Sequence, residues 1–87
     1  MFQINGIKWD IKMVEPYHYM LRRPQGDYSV GCCNNDDKII YLSRQLSGTF
    51  LKKVLAHELS HAALFSYNVV LPLSLEEQVA DIIATYG

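Results

Sequence analysis

Val54-Leu55-Ala56-His57-Glu58-Leu59-Ser60-His61-Ala62-Ala63-Leu64 is the stretch around which the chain is organised. A helix repeats every 3.6 residues, so His57 and His61, four apart, present their imidazoles on one face, close enough to hold one divalent ion. Glu58 sits about 100° further round the same cylinder. From there its carboxylate can lean over the metal from the side and take a proton from water. His57 and His61 are therefore candidate zinc ligands and Glu58 a candidate general base. An H-E-x-x-H spacing arises by chance in roughly a few per thousand chains of this length, so its surroundings decide its reading. Stepping about 100° per residue, Leu51, Leu55, Leu59 and Ala62 fall on one side and Lys52, Lys53, Ala56 and Ser60 roughly opposite. The two histidines and Glu58 share the remaining arc with Phe50, Val54 and Phe65. Three ionisable groups on a half-apolar arc make a poor solvated face, because unpaired polar groups there are desolvated at a cost. A bound cation would account for them.

Around this stretch the composition describes one small globular domain, residues 1–87: 49% hydrophobic, with three Pro and five Gly. So short a chain buries a limited core and gains from a metal, a disulfide or a partner. The net charge is −1 and basic residues come at most in pairs, Arg22-Arg23 and Lys52-Lys53. Neither a nucleic-acid nor an anionic-membrane partner is expected on that ground. The first residues carry neither a basic leader nor an apolar signal segment, and no apolar run reaches membrane-spanning length, so the expected location is cytoplasmic. Cys32 and Cys33 are adjacent, a spacing that suits two half-buried strand residues better than a disulfide framework.

Upstream, Ile7-Lys8-Trp9-Asp10-Ile11-Lys12-Met13 alternates apolar residues with charges, the period of a strand with one face on a core. Asn5-Gly6 before it is a hairpin signal, with Phe2 to Ile4 as a short first arm. Tyr17 to Asp27 loses the pattern; Tyr17, Tyr19, Met20 and Leu21 can form a short helical turn, and His18 reads as an ordinary packed or surface residue. Tyr28 to Cys33 and Lys38 to Leu42 form a second hairpin around Asn34-Asn35-Asp36-Asp37, which reads as a solvated turn because the remaining ligands of a calcium loop are missing. Ser47 is placed to cap a helix from about Thr49 to Phe65 or Ser66. A second helix is expected from Ser74 through Leu75 to about Tyr86, with Val79, Ile82, Ile83 and Tyr86 on its apolar face. The fold class that follows is α+β: a small antiparallel sheet of hairpins packed on the H-E-x-x-H helix and a C-terminal helix.

A catalytic zinc takes three protein ligands and leaves a position for water. The second helix offers Glu76, Glu77 and Asp81. If Glu77 is the ligand, Asp81 stands one turn later, placed to accept the free N–H of a liganding histidine. If Glu77 instead folds back on Ser74 as a capping box, Glu76 becomes the ligand.

His57-Glu58-Leu59-Ser60-His61-Ala62, followed by Glu77-Gln78-Val79-Ala80-Asp81-Ile82-Ile83-Ala84, resembles the gluzincin metallopeptidases, and among them the minimal ImmA/IrrE-like members often encoded by phages and mobile elements. The resemblance covers roughly residues 28 to 87. It implies a zincin-like fold and a zinc site of His57, His61 and Glu77, since in that family the H-E-x-x-H helix is followed by E-x-x-A-[ND], whose glutamate is the third ligand. It also implies that a strand such as Lys38 to Leu42 pairs with extended substrate. No histidine follows His61, which excludes a metzincin-like third histidine, and the chain is shorter than most members, leaving the lower half of the cleft nearly absent.

The expected activity is hydrolysis of a peptide or protein substrate, with zinc activating water and Glu58 moving the proton. Tyr28, Tyr67, Tyr86 and His18 are the candidate oxyanion donors. A zinc-stabilised binding or regulatory module without turnover is the alternative.

Overall fold

Asn5 and Gly6 both take positive φ, 50° and 78°, the two left-handed residues that a two-residue hairpin turn of type I′ demands. The chain therefore reverses at once, and β1 (Phe2–Ile4) pairs antiparallel with β2 (Ile7–Val14) in the register Phe2↔Trp9, Gln3↔Lys8 and Ile4↔Ile7. The computed structural model describes residues 1–69 and 71–86, and the side chains of all of these except Leu73, Ser74, Ile83, Thr85 and Tyr86. After a 3-10 turn at Tyr19–Leu21, β3 (Gly31–Asn34) and β4 (Ile39–Ser43) form the second hairpin, with Cys33 opposite Ile40. Helices α1 (Gly48–Ser66) and α2 (Leu73–Tyr86) follow.

The strand order is β1-β2-β4-β3. Both hairpins form as their turn residues dictate, yet β2 and β4 run parallel, Ile11 beside Ile40 and Met13 beside Leu42. The sheet is thus mixed, not the antiparallel one expected from the sequence. Hairpin turns fix only local pairing. Which strands of two hairpins meet is settled by the face each must bury, and here the chain crosses over from β2 to β3 before returning to β4. The Lys38 to Leu42 strand, expected to pair with extended substrate, lies in the sheet interior as β4, and the outer position belongs to β3.

One face of this sheet carries Trp9, Ile40, Leu42, Cys33 and Gly31, and α1 packs against it. The core joins these to Leu46 and Ala62, with Leu51, Leu55, Leu59 and Phe65 partly buried around it. The leucine stripe read from helical periodicity is therefore the sheet-facing side. Trp9 is 1% exposed, and its indole Nε1 donates to Ser66 Oγ at 2.8 Å, while Asn5 Nδ2 donates to the Ser66 carbonyl at 3.0 Å. These bonds tie the first hairpin to the end of α1. Ile11 and Met13, further along the same strand, remain 41% and 39% exposed, since the helix does not reach over them.

Helix α2 packs along α1. Ser60, expected on the solvent side with the lysines, is 5% exposed, and its hydroxyl donates back to the Ala56 carbonyl at 2.8 Å. Among the described side chains of α2 the buried one is Ala80, whereas Ile82, expected to face inward, is 58% exposed; Ile83 and Tyr86 lie outside the described side chains. Ser47 takes the N-cap place with extended backbone but makes no side-chain capping bond. Among the described residues no helix is long and apolar enough to cross a membrane.

Candidate metal centre

His57 and His61 share one face of α1 by their spacing, and α2 brings its first two turns against that face. The ring Nε2 atoms of the two histidines stand 3.2 Å apart. Glu77 reaches across from α2 to both: Oε2 is 3.2 Å from His57 Nε2 and Oε1 3.2 Å from His61 Nε2. The far sides of both rings are also occupied by carboxylates. Asp81 Oδ1 lies 3.1 Å from His57 Nδ1, and Glu76 Oε1 lies 2.6 Å from His61 Nδ1.

Tautomer logic follows from these contacts. Glu76 hydrogen-bonds His61 at Nδ1 and holds the ring proton there, and Asp81 stands within ion-pair distance of His57 Nδ1, an arrangement that favours both Nε2 lone pairs directed inward. Two lone pairs and a carboxylate meeting within 3.2 Å repel one another unless positive charge sits among them. Zinc bonds to imidazole nitrogen of about 2.0–2.1 Å, opened at a tetrahedral angle, would set two donors roughly 3.3 Å apart. The donor set, its spacing and its outer carboxylates fit a divalent metal. His57, His61 and Glu77 also form the described residues' one group of three metal-capable side chains, with donor atoms all within 4.8 Å of one another.

Glu77 therefore turns toward the rings and not back to the start of its helix. Glu76, the competing candidate for third donor, meets His61 at Nδ1, as Asp81 meets His57 at its Nδ1. Sequence reasoning placed Asp81 near a liganding histidine without deciding which, and missed the contact of Glu76 with His61. The signal was available in the spacing, because Glu76 and Asp81 flank Glu77 by one residue and by one turn, and an outer partner is needed for each imidazole.

Glu58 is buried, and its Oε2 has no hydrogen-bond partner among the described residues. Burial pushes its carboxyl pKa up, and Glu77 adds to this, while His61 and His57 pull it down. The close approach of β3 accounts for the burial. A Cβ at Gly31 would stand 2.8 Å from Val54 Cγ1 and 3.2 Å from Glu58 Cγ, so glycine is what lets the strand lie on the helix here. Burial raises the thiol pKa of Cys32, and lifts that of Cys33 to about 12, with the charge of Glu58 contributing to both.

Beside the histidines a cleft of about 380 Å³ opens between three walls. Ser29 to Gly31 supply the β3 side, Lys53, Val54, His57 and Glu58 the α1 side, and Asp81 and Ala84 the α2 side. Neither Tyr28, Tyr67 nor His18 lines it. His18 instead accepts the Met20 amide at Nδ1 and stacks on Tyr41, and Tyr28 packs edge-on against Tyr17; the Tyr86 side chain lies outside the described residues. The oxyanion roles expected of the first three find no support in these positions. Comparison with family models, with curated proteins and with solved structures returns no match.

Proposed function

We propose that the chain is a zinc-dependent peptidase. The observation that carries this reading is the convergence of His57 Nε2, His61 Nε2 and Glu77 at mutual distances of 3.2 Å, each histidine with a carboxylate at its Nδ1, beside the buried Glu58, whose Oε2 has no partner among the described residues. His57, His61 and Glu77 would hold the zinc, which when bound supplies the Lewis acidity that lowers the pKa of water and polarises a carbonyl. Glu58 accepts the proton from the attacking water and returns it to the departing amine. A purely structural site has no use for a carboxylate in that place. Burial, by destabilising the charged form, raises its proton affinity toward that of a useful base.

Substrate would lie in the cleft as an extended chain. The strand suited to pair with it is β3, at the sheet edge and on the cleft wall, in place of the Lys38 to Leu42 strand first expected. The Ser29 hydroxyl now donates to the Gly31 carbonyl at 2.7 Å and accepts the Gly31 amide at 3.2 Å. A peptide pairing at Gly31 would take over those two bonds.

Two measurements test the reading. Zinc titration of metal-free protein should give one tight site per chain, lost in Glu77→Ala; absence of binding removes the proposal. Hydrolysis of quenched fluorescent peptides should require Glu58, with Glu58→Gln keeping zinc and losing turnover. Zinc bound without turnover in the wild type would make the chain a metal-stabilised binding module instead.

A further inference from the structure

We propose that Lys53 makes the cleft selective for substrates bearing a carboxylate within one or two residues of the cleaved bond, whether an acidic side chain or a free C-terminus; this rests on the peptidase reading above. Lys53 lies four residues before His57, one helical turn along α1, and lines the cleft. Four residues of helix rise about 6 Å, and an extended peptide advances about 3.3–3.6 Å per residue. A carbonyl held at the imidazole end therefore sets a group one or two residues away beside the Lys53 ammonium.

The charge of that ammonium is not balanced from within. None of the ion pairs among the described residues uses Lys53. Of the nearby carboxylates, Asp81 lies at His57 Nδ1 and Glu77 at both rings, while Glu58, which also lines the cleft, forms no ion pair with Lys53 among the described residues. Val54 and Ala84 share the walls and offer apolar surface to the methylene stem of a glutamate. The neighbouring Lys52 bears the same charge but is not part of the cleft lining, which provides an internal control.

The test uses the full chain loaded with zinc and two pairs of peptides, Glu against Gln at the positions flanking the cleaved bond, each with a free or an amidated C-terminus. Cleavage is read as kcat/KM, and binding of the same peptides as fluorescence anisotropy with Glu58→Gln, so that selectivity is measured even without turnover. The expected result is a preference for the carboxylate of about tenfold, reversed in Lys53→Glu, largely kept in Lys53→Arg and unmoved in Lys52→Glu. Preference that follows Glu against Gln assigns the side chain; preference that follows amidation assigns the terminus. Cleavage with an equal ratio in wild type and Lys53→Glu overturns the role of Lys53 and leaves the peptidase reading intact. Selective binding without cleavage, lost in Lys53→Glu, keeps the selector and removes the enzyme. Neither binding nor cleavage removes both.

Discussion

A methyl group at Gly31 would press on Val54 and Glu58 together, so Gly31→Ala joins the packing of the sheet to the position of Glu58, the proposed general base. Overpacking of this kind costs about 1–3 kcal/mol. The expected outcome is a lower urea midpoint together with reduced turnover and unaltered zinc affinity, since the methyl touches neither histidine. The outer carboxylates act differently. Asp81→Asn and Glu76→Gln keep shape while weakening the hold on each Nδ1 proton, and each should lower zinc affinity or activity by about 10–100-fold. Competition with a chromogenic chelator measures this directly. Asp81 is largely exposed and Glu76 largely covered, so of the two the Glu76 variant is expected to lose more, its hydrogen bond being less accessible to water.

At the scale of elements, the first hairpin is held to α1 through the Trp9–Ser66 bond. Ser66→Ala leaves a buried indole N–H without a partner, at a cost of about 1–3 kcal/mol, seen as a lower melting temperature with the proposed zinc affinity unchanged. Strand β3 carries a second, pH-linked consequence. Cys33, lifted to about 12 by burial and by the charge of Glu58, stays a thiol in the folded protein. An unfolded chain would ionise it near its ordinary value, so this contribution to stability is complete below pH of about 9 and is lost as pH rises from 9 toward 12. Urea midpoints at pH 8 and 10.5 should therefore fall further in the wild type than in Cys33→Ala. Alkylation of the folded protein at pH 8 should be slow and should accelerate on unfolding.

For the whole molecule, the proposed zinc is also a clamp, because two of its donors lie on α1 and the third on α2. Stabilisation by a ligand present at a hundred times its Kd is about 2.7 kcal/mol, which for a domain of this size moves the melting temperature by roughly 10–20 °C. Chelation should lower it by that amount, and in Glu77→Ala the chelator should have no further effect. How much of this architecture was legible beforehand differs by feature, for physical reasons. The H-E-x-x-H helix, the Asn5-Gly6 turn, the leucine stripe and the Glu77–Asp81 register were readable because each depends on residues within a few positions of one another, where backbone geometry alone sets who is neighbour to whom. The parallel meeting of β2 with β4, the transfer of the sheet edge to β3, the burial of Ser60 and the pairing of Glu76 with His61 were not. Each depends on how separate segments share one core, and many arrangements satisfy the same local periods; only packing of the whole chain, by burying Trp9, Ile40 and Leu42 under α1, selects among them. The amino-acid order thus determined by itself that two imidazoles and a glutamate stand on helical faces, whereas the tertiary fold alone decided which carboxylate meets which nitrogen.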